Sequence, residues 1–482
     1  MKNDHQKKPS PWVSLIPIMV LLIMLYVAIR IFGGNTLQGA SQMCLLISTA
    51  VCAIIATLCY RVLWKRIEES IINNMKNVAL ALLILLLIGA LSGTWMISGV
   101  IPTLIYYGMM IISPDFYLAT TCIICAAVSV LTGSSWTTVA TVGIALAGIG
   151  LAHGFSPGWI GGAIISGAYF GDKISPLSDT TVLASSITDT PVFVHIRYLM
   201  ITTIPSMTIT LLIFIVAGFT FDITSSGGDI NAYTDTLDKT FNITPWVLFV
   251  PAVMALLIYR KAPSILTLFV SGIIAGIFAL IFQPHILQQI AGQDLSGNWA
   301  LAKGFMRSFF GSTQLDTGME ELNNLVATRG MAGMLNTIWL IICAMCFGGA
   351  MAASGMLASI ISVCLHFMKH TVGTVATTIF SGLLFNICAG DQYLAVILTG
   401  DMFKDVYREK GYDTRLLSRT CEDGATVTSP LVPWNTCGMT QATVLGIPTL
   451  VYLPYSFFNL ISPIMSIIVA ATGYKIKRIM KS

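Results

Sequence analysis

Long apolar runs broken by short polar tips set the pattern of this chain. The runs fall near residues 13–32, 42–63, 78–112, 116–152, 159–169, 198–218, 246–259, 264–282, 334–367, 372–400 and 439–471. One helical crossing of a hydrocarbon layer about 30 Å thick takes about 20 apolar residues, so several runs are too long or too short for a single plain helix. Two are interrupted by polar, glycine-containing tips: Thr132-Gly133-Ser134-Ser135 within 116–152, and Cys388-Ala389-Gly390-Asp391 within 372–400. Unpaired backbone at membrane depth is tolerated only where protein or a wet cavity satisfies it. The tips, with Gly133, Ser134 and Ser135 on one side and Asn386 and Gly390 on the other, therefore predict re-entrant hairpins. Broken helices are expected near 159–187 and 412–437, where polar residues and prolines interrupt the helical pattern.

Composition fixes the class. Of 482 residues, 55% are hydrophobic and 10% charged, against about 25% charged in soluble domains. The formal net charge is only +4, and Lys and Arg sit in short clusters beside apolar runs, which argues against nucleic acid as a partner. The clusters are Lys2, Lys7 and Lys8; Arg61, Lys65, Arg66 and Lys76; Arg260 and Lys261; Lys404, Arg408, Lys410, Arg415 and Arg419; Lys475, Lys477, Arg478 and Lys481; and, more weakly, Arg197. Basic residues accumulate on the cytoplasmic side. All six can lie there if both termini are cytoplasmic and the acidic stretch Asp222 to Lys239 and the connection Gln283 to Arg329 lie outside. The basic segment Met1 to Pro11 runs into the first apolar stretch without a small-residue cleavage site, and reads as a retained first span. Cys122 with Cys125 and Cys343 with Cys346 match CxxC, but residues i and i+3 simply share a helix face and nothing completes a metal set.

The two halves of the chain resemble each other. Ser175-Pro176-Leu177 recurs as Ser429-Pro430-Leu431, an offset of 254 (429 − 175), Gly133 recurs at Gly390, an offset of 257 (390 − 133), and Ser98-Gly99 recurs at Ser354-Gly355. The basic segment 402–420 is cytoplasmic in this topology, whereas its counterpart near 146–158 lacks Lys and Arg and falls outside. The copies are thus inverted, the arrangement by which many secondary transporters build one midplane site. The expected fold is an all-α polytopic membrane protein of about ten spans, with inverted structural repeats, re-entrant hairpins and broken transmembrane helices. Residues 1–220 form the first repeat, 221–245 an external linker and 246–482 the second repeat, which carries an external loop over 283–333.

Candidate chemistry concentrates at the breaks. Asp172-Lys173-Ile174-Ser175-Pro176-Leu177-Ser178-Asp179-Thr180-Thr181 packs two carboxylates, a Lys and four hydroxyls into ten residues after an apolar half-helix. Charges at the bilayer centre are expensive, and usually mark an ion or substrate path; the bland alternative is a solvated cytoplasmic loop. The counterpart, Glu422 to Thr436, offers Asp423, Ser429, Asn435 and Thr436. Hydroxyl, amide and unwound carbonyl oxygens suit a small hard cation, and carboxylates add charge and can exchange a proton. The ion-binding candidates are Asp172, Ser175, Ser178, Asp179, Thr180, Asp391, Asp423, Ser429, Asn435 and Thr436, with Na+ as the metal they would hold. Asp391, otherwise a helix cap, is hard to excuse in an apolar hairpin. At the offset of 254, Asp179 and Lys173 fall opposite Pro433 and Val427, so the halves are not equivalent. Lys173, paired with Asp172 or Asp179, is either an electrostatic latch that an arriving cation displaces or one member of a permanent ion pair. His153, His195, His366 and His370 lie near predicted helix ends and read as interfacial. Trp136 and Trp434 adjoin the polar segments and are candidates to line the cavity.

Gly171-Asp172-Lys173-Ile174-Ser175-Pro176-Leu177-Ser178-Asp179-Thr180-Thr181 resembles the signature of NhaC-type sodium/proton antiporters, and Ser429-Pro430-Leu431-Val432-Pro433-Trp434-Asn435-Thr436 is similar to their second-half motif. Val182 departs from the pattern, where the family favours Asn. The resemblance implies a multi-pass protein of the bacterial cytoplasmic membrane in the ion-transporter superfamily, with Na+ and H+ as transported ions, no cofactor, and the lipid bilayer as its surroundings; a homodimer is a candidate assembly. The expected function is Na+/H+ exchange by alternating access, with both ions competing for a carboxylate site. A malate/lactate-type organic-anion exchanger is the nearest alternative, although the core offers only Lys173, Asn386, Asn435 and helix N-termini for an anion. An intramembrane aspartyl protease, the remote alternative, would also bury two Asp residues.

Overall fold

A computed structural model describes residues 9–32, 39–220, 230–292, 295–365 and 368–478. Lys2, Lys7, Lys8, the first part of the acidic stretch (222–229), His366 and Lys481 lie outside the described residues. The described chain is helical, with two isolated β-bridges and no strand. Nine of its helices are long and apolar enough to cross a membrane, or up to eleven when each of two bent pairs counts as one span.

The first two spans, Pro11–Phe32 and Ala40–Tyr60, coincide closely with their apolar runs. The third helix, Trp64–Ile97, starts well before its apolar run, and its first turns carry Lys65, Arg66, Glu68, Glu69 and Lys76. Its 34 residues reach about 51 Å, so its charged start projects beyond a hydrocarbon layer of about 30 Å. It ends at Ser98-Gly99, where Gly99 takes φ +84° and the next helix, Val100–Ile111, sets off in a new direction. The same device recurs at Ser354-Gly355, with Gly355 at φ +72°, between Leu335–Ala353 and Met356–Cys364.

Both expected hairpins are present. In the first, Tyr117–Thr132 turns at Gly133 into a helix from Ser135 to Ala152 that holds one π-helical turn, Val139–Gly143. In the second, Thr371–Ala389 turns at Gly390 into Gln392–Glu409. Both turning glycines have φ +68°, and both are buried inside protein. The broken helices follow: Pro157–Ile174 with Asp179–Ile187, and Thr414–Cys421 with a π-helical turn Glu422–Thr426, a short 3-10 turn Ser429–Leu431 and Thr436–Leu445.

One expected loop holds helices, and two residues expected at the surface are buried. The stretch expected as an external loop over 283–333 contains the helices Pro284–Ala291, Gly297–Phe310 and Glu320–Val326. It packs on the spans: a Cβ on Gly93 would lie 2.2 Å from the Ser308 carbonyl oxygen, and one on Gly276 would lie 2.6 Å from Phe305. Arg419, counted among the cytoplasmic basic residues, is fully buried, with its guanidinium 4.9 Å from the Tyr198 ring. His195, read as interfacial, is also fully buried, its Nδ1 2.7 Å from the Ser418 hydroxyl.

Candidate functional site

The two broken helices are held by their hairpins through one repeated set of contacts. The Ser129 hydroxyl donates to the Ala168 carbonyl at 2.6 Å, and the Asn386 amide donates to the Ala425 carbonyl at 2.6 Å. Both partners are displaced by 257 residues (386 − 129 and 425 − 168). Gly167 lies against Cys122 as Gly424 lies against Ile379, and Gly133 meets Leu177 as Gly390 meets Trp434, all at that displacement. The helix caps agree: Ser134 and Asp391 cap the second limbs of the hairpins, and Ser178 and Asn435 cap the helices after the breaks. A cap side chain satisfies backbone N–H groups that the first turn leaves unpaired, so it marks a backbone event rather than a sequence likeness.

This register corrects the one drawn from Ser175-Pro176-Leu177. At 257 residues, Pro176 corresponds to Pro433, Asp179 to Thr436, Asp172 to Ser429 and Ser135 to Gln392. The halves have exchanged chemistry between equivalent places. Asp172 accepts from Ser135 in the first half, whereas the Ser429 hydroxyl donates to the Gln392 side chain at 2.7 Å in the second.

Asp172 sits in the last turn of Pro157–Ile174 with 5% of its surface exposed. Its Oδ2 accepts from the Ser135 N–H at 3.1 Å and the Ser135 hydroxyl at 2.6 Å, and its Oδ1 accepts from the Ser178 hydroxyl at 2.6 Å. Ser178 and Thr180 share a hydroxyl contact of 3.0 Å. These donors belong to the hairpin tip and to the start of Asp179–Ile187, so one carboxylate gathers three chain segments. A cavity of ≈ 380 Å³ opens beside it, lined by Asp172, Asp179, Thr180, Ser134 and Ser135, with Gln392 and Tyr393 arriving from the second hairpin. Asp179 is exposed to it. Among the described residues, two carboxylates and several hydroxyls line the cavity and no Lys or Arg does, an oxygen-rich lining of the kind that suits a hard cation. Trp136 forms part of its wall.

The second half contributes a buried network rather than an open wall. Asp391 accepts from the Leu394 N–H at 2.9 Å and from the Thr436 hydroxyl at 3.0 Å. Asn435 donates to Asn386 at 3.1 Å and accepts from the Cys437 N–H at 3.0 Å. The Trp434 indole donates to the Ile387 carbonyl at 2.7 Å instead of facing the cavity. The Ser175 hydroxyl is likewise committed, donating to the Val130 carbonyl at 2.7 Å and tying the break to the hairpin.

Lys173 pairs with neither Asp172 nor Asp179. Its ammonium meets Asp423 and donates to the Ser462 hydroxyl at 2.9 Å; Ser462 also donates to Asp423 at 2.8 Å, and Thr202 donates to its other oxygen at 3.1 Å. Both charged side chains are fully buried. The pair joins the two broken helices to each other and to Val192–Thr220 and Phe457–Thr472. Reading the sequence missed Tyr393 and Asn77 in the cavity lining, and Ser462 and Thr202 around the ion pair. It also passed over Glu422 and Arg419 as site residues, although both are fully buried. Asn77 carried a signal: with Asn74 it places two amides, i and i+3, on one helix face just before the apolar run.

Residues 167–474 match the Na+/H+ antiporter family. The Na+/H+ antiporter NhaC of Bacillus subtilis (strain 168) is 35% identical over 408 residues, which cover 84% of this chain and 87% of that protein. The Na+/H+ antiporter NhaC of Alkalihalophilus pseudofirmus is 36% identical over 430 residues, 89% of this chain and 90% of that one. The malate-2H+/Na+-lactate antiporter of Bacillus subtilis (strain 168) is 36% identical over 411 residues, 85% of each chain.

Proposed function

This chain belongs to the Na+/H+ antiporter family, and from that premise we propose that it exchanges Na+ for H+ across a bacterial cytoplasmic membrane, with both ions competing for the Asp172–Asp179 cavity. The observation that carries this reading is Asp172 itself, a nearly buried carboxylate ringed by hydroxyls beside a cavity free of basic side chains. The hydroxyls of Ser135 and Ser178 donate to the carboxylate. Rotated, they present lone pairs to Na+ beside the carboxylates. A proton on Asp172 satisfies the same negative charge and leaves the cation one ligand fewer. Bare carboxylates oppose movement through a low-dielectric layer, and loading the site with Na+ or with protons lowers that opposition. Two loaded states can then cross and the empty one cannot, which is obligatory exchange. Alternating access through inverted repeats, with both termini cytoplasmic, completes the proposal.

In this reading Asp391 is a third carboxylate, at the tip of the second hairpin, where it accepts from the Thr436 hydroxyl. Lys173 and Asp423 neutralise each other and serve as structure rather than as ligands. The test is dye-reported proton flux in proteoliposomes on addition of Na+. Asp172→Asn and Asp391→Asn each abolish Na+-dependent proton movement while the protein still inserts; wild-type exchange in both variants rejects the site.

One observation favours a second reading. The cavity, ≈ 380 Å³, is larger than a dehydrated cation needs and lies in the range of small-molecule pockets, and one relative is a malate-2H+/Na+-lactate antiporter. Malate and lactate gradients applied in the same proteoliposomes separate the readings, because flux with Na+ alone requires no organic anion. The antiporter relatives support a transporter over the intramembrane protease.

A further inference from the structure

Two adjoining cavities outline how the Asp172–Asp179 site is reached. The smaller, ≈ 180 Å³, shares Thr132, Thr137, Leu177 and Ser264 with the larger one and ends on Lys261. Lys261 is exposed and occupies the turn Arg260-Lys261-Ala262-Pro263 between Phe249–Tyr259 and Ser264–Phe282. A reversal after Tyr259 holds it there: its N–H donates to the Ile258 carbonyl, the Ala262 N–H donates to the Leu257 carbonyl, and Lys261 takes φ +57°.

Two helices that line the cavities bear on the depth of the site. The smaller cavity reaches Thr267 and Leu268 in the first turns of Ser264–Phe282, about 6 Å along that helix from its start. The larger cavity lies on Asn77, Leu80, Ala81 and Ile84, one face of Trp64–Ile97, directly after Lys76. Ser264–Phe282 therefore meets the cavities at its basic end, while on Trp64–Ile97 the lining residues fall midway along the helix, where its apolar part begins just after Lys76. That is the arrangement of a site open to the basic, cytoplasmic face.

We propose that Lys261 sets the apparent Na+ affinity at the cytoplasmic mouth of the ion path, where its fixed positive charge raises the Na+ concentration needed to load the site from that face. The inference rests on the Na+/H+ reading of the Asp172–Asp179 cavity and adds to it the side of access and the residue that tunes it. A charge at the mouth of a low-dielectric path acts on the local ion concentration and leaves the chemistry inside untouched. Over about 10 Å in a water-like dielectric, Coulomb's law makes each unit of charge worth about two-fold in apparent affinity. The effect fades with salt, because the screening length falls from about 30 Å at 0.01 M to about 3 Å at 1 M.

The experiment measures half-saturation and maximal rate of Na+-driven proton flux in oriented proteoliposomes, with Na+ supplied at the Lys261 face in dilute buffer or with added choline chloride. Lys261→Gln lowers half-saturation about two-fold and Lys261→Glu about four-fold, with maximal rate unchanged and the difference collapsing at high salt. Lys410→Glu, an exposed basic position that lines neither cavity, leaves half-saturation as in the wild type. Equal half-saturation for Lys261→Glu and wild type in dilute buffer overturns the proposal. So does a shift seen only when Na+ is supplied at the opposite face, or a change confined to maximal rate. Asp172→Asn in the same preparation keeps the two ideas apart: if it exchanges normally, the cavity reading fails, and if it is silent while Lys261→Glu matches the wild type, only the role of Lys261 fails.

Discussion

Among single residues, Lys173 and Asp423 are the most sharply defined pair, because each is fully buried and each satisfies the other. Removing one partner of a buried pair strands a charge in a low-dielectric interior, whereas replacing both with apolar groups of similar volume is often neutral. Lys173→Met or Asp423→Leu alone is expected to cost about 3–5 kcal/mol, read as a fall in Tm of the detergent-purified protein. The double variant recovers most of the loss; an equal fall in single and double variants contradicts the pairing. The sequence made Asp172, Ser178 and Thr180 visible by residue type, since hydroxyls crowded beside carboxylates in an apolar frame have few structural uses. It did not reveal which carboxylate Lys173 takes. Asp172 adjoins it and Asp179 is six residues on, while the partner, Asp423, is 250 residues away. Fully buried Arg419 was equally hidden, because an Arg in a basic segment looks the same whether it points outward or inward.

In the helices and hairpins, close backbone approach decides whether the units assemble. A Cβ on Gly167 would lie 2.1 Å from the Cys122 carbonyl oxygen, and one on Gly424 would lie 2.8 Å from the Ile379 Cα. Both glycines lie where a hairpin limb crosses its broken helix, so a larger side chain forces the crossing apart. Gly167→Leu and Gly424→Leu are each expected to destabilise by about 1–3 kcal/mol or more, measured as loss of monodisperse protein by detergent size-exclusion chromatography. A leucine tolerated at both positions rules out the crossing. Hairpins and breaks were legible from polar tips in apolar runs, but two registers competed: Gly133 with Gly390 gave 257, and Ser-Pro-Leu gave 254. The recurrent tripeptide Ser-Pro-Leu suggested an offset of 254, while the backbone caps Ser134 with Asp391 and Ser178 with Asn435 keep 257. Caps answer to unpaired N–H groups and so follow the fold; a short word can recur three residues out of place.

For the whole molecule, exchange through one site requires the two repeats to lie in opposite orientations. Ser156 and Lys410 are both exposed at helix ends on the two copies. Introduced cysteines at these places are expected to react with a membrane-impermeant maleimide from opposite sides, Ser156→Cys from outside and Lys410→Cys from the cytosol. Labelling of both from one side removes the inversion and the alternating-access mechanism with it. Hydropathy and charge alone determined the membrane class, the hairpin and break positions, and the motif carbons and oxygens from which an ion site could be built, because burial in lipid imposes periodicity and polarity on a chain locally. Only the tertiary structure decided the rest. It placed helices packed on the spans within 283–333, gave Lys173 to Asp423, chose between the two internal registers, and left Asp172 and Asp179 beside one cavity. Those outcomes depend on which surfaces meet across hundreds of residues, and no local pattern of side chains encodes a contact whose partner lies in the other half of the chain.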